Sequence, residues 1–144
     1  MYNEVLKKLV ESKNSKGEPE GSLEGKFKYH GTEVTVCVDP DEEEIEVTMW
    51  LANKFLSNLE EYEANAKTKL LDEMFDQYNE EWRQEDEPVL SKEEFLKNLT
   101  LVHIWFLGSD SVDFMYSDGG MFGGHSLIPQ CFDGEKFTYV QMYG

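Results

Sequence analysis

Basic residues are scarce in this chain. Thirteen Lys and Arg stand against thirty Asp and Glu in 144 residues, a formal net charge of −17. Phosphate backbones and anionic headgroups are held through Lys and Arg, so nucleic acid and membrane are excluded as main partners. Cysteine is nearly absent: Cys37 and Cys131 are the only two. With no secretory signal in view, they are read as free thiols rather than a bridge. The chain opens Met1-Tyr2-Asn3-Glu4, without a basic stretch leading into an apolar one. No window approaches the roughly 18 apolar residues of a spanning helix. A cytoplasmic location is therefore expected.

Metal and catalytic signatures are missing as well. The possible zinc ligands His30, His103, His125, Cys37 and Cys131 have no CxxC, HxH or HExxH spacing. Cys131 and His125 carry no oxyanion-type signature, so a thiol nucleophile pair is unsupported. There is no P-loop, no GxGxxG and no Gly-x-Ser-x-Gly. The acidic run Asp39 to Glu44 lacks the alternating ligands and mid-loop glycine of an EF-hand. No cofactor and no metal are expected, and the chain reads as non-catalytic.

Hydrophobic residues make up 40% and aromatics 13%, which is enough for a core. A chain of this length buries roughly two-thirds of its unfolded surface, so residues 1–144 are expected to form a single domain. Its charge is uneven. Residues 1–38 balance at six basic and six acidic groups; residues 39–100 carry six against nineteen; residues 101–144 carry one against five. The acidic middle third is also the most helical in pattern.

Tyr2, Val5, Leu6, Leu9 and Val10 recur at helical spacing and predict a short N-terminal helix. Residues 13–22 are polar and rich in turn formers, and are expected as a mobile loop. Phe27 and Tyr29, then Val34, Val36 and Val38, alternate around a His30-Gly31 turn and predict a hairpin. Asp39, Pro40 and Glu42 resemble a capping arrangement that opens a helix from about 40 to 64. A second helix is predicted from about 65 to 83, with Leu70, Leu71, Met74, Phe75, Tyr78 and Trp82 on one stripe. Ser91 and Glu94 form a capping box for a third, short helix. Four strands follow: Leu101 to Phe106, Val112 to Tyr116, Ser126 to Ile128 and Phe137 to Met142. This order predicts an α+β fold, with helices packed on one face of a mostly antiparallel sheet.

The helical run Tyr78-Asn79-Glu80-Glu81-Trp82, the segment Ser91 to Phe95 leading into Leu101-Val102-His103-Ile104, and the stretch Tyr116 to Ser126 occur together in this order. In this combination the chain resembles a bacterial family catalogued as domain of unknown function 2262. The resemblance spans about residues 25–144, and Phe122-Gly123-Gly124-His125 is its most specific element. Gly123 stands where the family pattern has Trp. The resemblance implies a bacterial single-domain protein and carries no catalytic residue with it.

Two functional readings compete. In the first, a strongly acidic domain covers a basic protein partner, as an immunity or inhibitor protein would; complementary charge speeds association and sets specificity. Trp82 beside Glu85, Asp86 and Glu87 is its candidate contact. In the second, the glycine-rich loop Asp118 to His125 binds a small ligand or metal through Asp118, Gly123, Gly124 and His125. Against the second stands a plain structural role, with Gly119-Gly120 as a turn and His125 bonded to backbone. A scaffold without any discrete site is the third possibility.

Overall fold

The computed structural model describes residues 1–144. Seven strands form one sheet in sequential order: β1 (Val10–Lys13), β2 (Pro19–Tyr29), β3 (Thr32–Asp39), β4 (Thr100–Leu107), β5 (Ser111–Ser117), β6 (Ser126–Cys131) and β7 (Phe137–Tyr143). Every neighbouring pair is antiparallel except β3–β4, which is parallel. A parallel pair needs a long crossover, and the helical segment of the chain supplies it. The fold is α+β with a mostly antiparallel sheet.

The β2–β3 hairpin closes at His30-Gly31, both with positive φ (50° and 83°). That two-residue turn matches the right-handed twist of the flanking strands. The segment 13–22 differs from expectation. It contains the end of β1, a turn and the start of β2, and the Asn14 side chain accepts the N–H groups of Lys16 and Glu18 across the turn. The N-terminal helix is a 3₁₀ segment, Tyr2–Lys7, and Val10 belongs to β1.

The first long helix also differs. Asp39 ends β3 and its carboxylate accepts the Asp41 N–H, so it does not cap a helix. Asp41 takes φ 58°, which breaks the chain direction. Helix α1 therefore begins late, at Ile45, and runs to Ser57. The break that follows lies at Asn58 (φ −131°, ψ 36°), where α2 (Leu59–Leu70) starts, and no break occurs near residue 64. From Leu70 the chain continues as π-wound turns, Leu71–Phe75 and Tyr78–Trp82. Local caps and periodicity both suit one helix across 40–64. The sheet decides otherwise, because β3 keeps Asp39 for its register with Leu107. The third helix, α3 (Lys92–Lys97), has the expected capping box: the Ser91 hydroxyl accepts the Glu94 N–H and the Glu94 carboxylate accepts the Ser91 N–H.

A cluster of 27 buried residues joins helices and strands. Phe55 of α1 lies at its centre. Its ring stacks on Tyr62 at 3.8 Å and meets Phe106, Phe114 and Phe137 edge-on at 6.0–6.3 Å. One aromatic thus ties α1 to α2, β4, β5 and the start of β7, worth about 0.5–1.5 kcal/mol per pair beyond area burial. On the strands, Val34, Val36, Val38, Ile104, Phe106, Val112, Phe114 and Tyr116 are buried. The residues alternating with them (Thr35, Cys37, Trp105, Asp113 and Met115) are only half-buried. The sheet therefore presents one filled side and one open side.

Candidate functional site

Asp118 follows β5 and is 4% exposed. Its carboxylate accepts three backbone N–H groups: Gly120 on Oδ1 at 2.8 Å, and Phe122 and Gly124 on Oδ2 at 2.8 and 2.9 Å. The loop wraps around this carboxylate, with positive φ at Gly119, Gly120, Gly123 and Gly124. At Gly119 the space is also closed, because a β-carbon would run into the Asn98 carbonyl oxygen. Gly123 has φ 69°, a conformation that side-chain-bearing residues resist.

His125 ends the loop half-buried. Its Nδ1 sits against the carbonyl oxygen of Phe122. Trp82 meets the imidazole edge-on at 5.8 Å and Phe122 at 5.4 Å. On another side Gly144 lies so close that a β-carbon there would come within 2.5 Å of the ring. Trp82 and His125, candidates for different roles, are thus one cluster. The π-wound turn Tyr78–Trp82 brings Trp82 there. Glu85, Asp86 and Glu87 lie beyond it, exposed. The loop carrying them is fastened from within. The Arg83 guanidinium donates to the carbonyls of Asn79, Gln84 and Glu87, and the Glu87 carboxylate accepts the Gln84 N–H. Gly123 and Gly124 are exposed, while Asp118 faces inward with its acceptors engaged.

The open side of the sheet holds a feature that sequence reasoning missed, a groove of about 590 Å³. Trp105, Met115, Ile128 and Phe132 give it apolar walls, and Asp39 and Asp113 give it carboxylates; no Lys or Arg lines it. The strands bring these side chains into register. Cys37, Trp105, Asp113, Gln130 and Tyr139 form an unbroken row of cross-strand partners over β3 to β7. Pro129 has no N–H to give, and the β5–β6 ladder lapses between Asp113↔Gln130 and Tyr116↔Leu127. Asp113 accepts only the Gln130 amide, at 3.3 Å. Burial pushes its carboxyl above the ordinary range, and that hydrogen bond pulls the other way. The signal for this groove was in the alternation. On β4 to β7 the positions opposite the core include Trp105, Met115 and Asp113 and not one cation, whereas the cations of that face, Lys26 and Lys28, lie on β2.

A second unforeseen group is Glu63 on α2, 6% exposed. It accepts the hydroxyls of Tyr29 (2.8 Å) and Tyr116 (3.1 Å), with the Lys67 ammonium at 3.5 Å. Burial first, and then the hydrogen bond and charge of Glu63, push both phenols well above their usual value. The group is a closed polar network that ties α2 to β2 and β5.

No set of three or more His, Cys, Asp or Glu is grouped to hold a metal. No helix is long and apolar enough to cross a membrane. Residues 18–139 match a family described as uncharacterized protein conserved in bacteria, domain of unknown function 2262. No curated protein and no solved structure matches the chain.

Proposed function

The chain belongs to this bacterial family, and from that premise we propose that it is a non-catalytic acidic binding protein for a basic protein partner, of the immunity or inhibitor type. One observation carries the reading: the groove on the open sheet face offers aromatic walls and two carboxylates with no cation of its own. In this reading the helices gather over the filled side, and the open side is left for the partner. Asp113 is half-desolvated and has only an amide for company. A guanidinium or ammonium laid over Trp105 and paired with Asp113 would relieve that cost and add a cation–π contact. The −17 charge would draw a cationic protein in from a distance, with a rate that falls as salt rises.

The rim at Trp82, Glu85, Asp86 and Glu87 is a weaker contact, because Trp82 is occupied with Phe122 and His125. The alternative reading, a small ligand or metal at Asp118, Gly123, Gly124 and His125, draws less support. The Asp118 oxygens are spent on three loop N–H groups, and the imidazole is enclosed by Trp82 and Gly144.

The test is capture from the native bacterium with tagged wild type and tagged Asp113→Asn side by side, eluted by a salt step. The expected result is one stoichiometric basic protein, retained by wild type, released by salt and much reduced on Asp113→Asn. Near-UV circular dichroism would verify that the variant is folded. A partner held equally by both proteins, or none at all, would overturn the reading.

A further inference from the structure

The two margins of the sheet are built differently. β1 is short, carries Glu11 and Lys13, and slips register against β2 between those two residues. Shortness, charge and irregularity are the devices that stop a further strand from adding to an edge. β7, at the other margin, is neither short nor charged, and its one register shift against β6 falls at its start, between Phe137 and Tyr139. It is seven residues long, Phe137–Tyr143, with no proline and no charged side chain. Tyr139 and Tyr143 are 56% and 62% exposed, and β6 is its only strand neighbour.

Charge decides which strand would add there. From Gly119 to Phe132, and again from Phe137 to Gly144, the chain has no Asp, Glu, Lys or Arg. β6 and β7 are therefore the neutral border of a strongly acidic molecule. A basic partner gains least at this border. A second copy of this chain, repelled by like charge elsewhere, meets least resistance there.

We propose that β7 pairs antiparallel with β7 of a second copy about a two-fold axis, joining two seven-stranded sheets into one. A two-fold contact uses the same patch on both copies, and an antiparallel strand pair meets that condition. With the axis at Val140, Tyr139 of each copy lies opposite Gln141 of the other. Gln141 and Tyr143 also line the groove, so the open faces of the two copies run together across the junction. This inference does not rest on the proposed function.

The experiment is light scattering coupled to size exclusion on the full chain over a concentration series. Wild type is expected at twice 16.7 kDa. The double variant Tyr139→Lys with Gln141→Lys sets lysine opposite lysine twice across the axis, and is expected at the single-chain mass. Tyr139→Glu with Gln141→Glu should do the same with the opposite charge. Val10→Lys, on the far margin, should leave the dimer intact. Hydrogen exchange of β7 amides should slow as concentration rises. Wild type at the single-chain mass throughout would overturn the proposal. So would a dimer that survives both β7 double variants, or one that is lost in Val10→Lys.

Discussion

Replacing Asp118 by Ala isolates what the buried carboxylate does for its loop. Phe122 N–H is buried in the native loop, so its loss of partner costs about 1–3 kcal/mol. Gly120 and Gly124 lie partly at the surface, where water can replace the carboxylate, so each of their bonds contributes about 1 kcal/mol. The three bonds share one acceptor and do not add fully, so the expected loss falls below their sum, at ~2–4 kcal/mol. That is a large share of a fold whose total stability is about 5–15 kcal/mol. Asp118→Asn keeps one oxygen, which can still serve Phe122 and Gly124, so its loss should be smaller, ~1–2 kcal/mol. The assay is equilibrium urea unfolding followed by tryptophan fluorescence, with Trp82 reporting on this loop through His125 and Phe122. An Asp118→Ala protein within about 0.5 kcal/mol of wild type would refute the structural account of this carboxylate. Equal losses for Ala and Asn would refute the bond-by-bond reasoning.

Three further outcomes follow from the geometry. Gly119→Ala and Gly120→Ala both force alanine to positive φ, but only the first drives its β-carbon into Asn98. Gly120→Ala should cost ~1 kcal/mol and Gly119→Ala clearly more, read as the difference in urea midpoint. The Tyr29 and Tyr116 phenols are raised above the ordinary value of 10.0 in the folded state. The unfolded chain therefore loses its phenolic protons first as pH climbs. Their stabilisation is complete below that value and is lost above it, so alkaline unfolding should begin above about pH 10, with a shallower slope in Tyr29→Phe. Asp113 is also raised, and for a carboxylate this means that its charged form weakens the fold at neutral pH. Stability from this group is present in acid and declines as pH rises through the folded value. Asp113→Asn should therefore melt no lower than wild type at pH 7 by differential scanning calorimetry, while binding of a basic partner falls. A lower melting temperature would assign Asp113 to the fold instead.

The amino-acid sequence by itself determined a good deal of this protein. The alternation of Val34, Val36 and Val38, the His30-Gly31 turn and the Ser91–Glu94 capping box depend on residues a few positions apart, and each formed as read. The four C-terminal strands were legible for the same reason, as was the mostly antiparallel α+β fold. The bacterial family was also legible, because its motifs are short and local. Tertiary structure alone decided the rest. Asp39 had the chemistry of a helix cap, yet pairing with Leu107 across β3–β4 kept it in the sheet and moved the start of α1 to Ile45. The turn formers of residues 13–22 became a hairpin because β3 offers β2 a ladder from Leu23 to Tyr29. Asp118 was visible as an unusual loop carboxylate, but its three backbone donors appear only once the chain has curled around it. The groove and the Glu63 network bring together residues tens of positions apart, from β3 to β7 in one case and from β2, α2 and β5 in the other. Local sequence fixes short-range backbone choices; which side chains meet across a sheet is set by strand order and register, and no single segment encodes these.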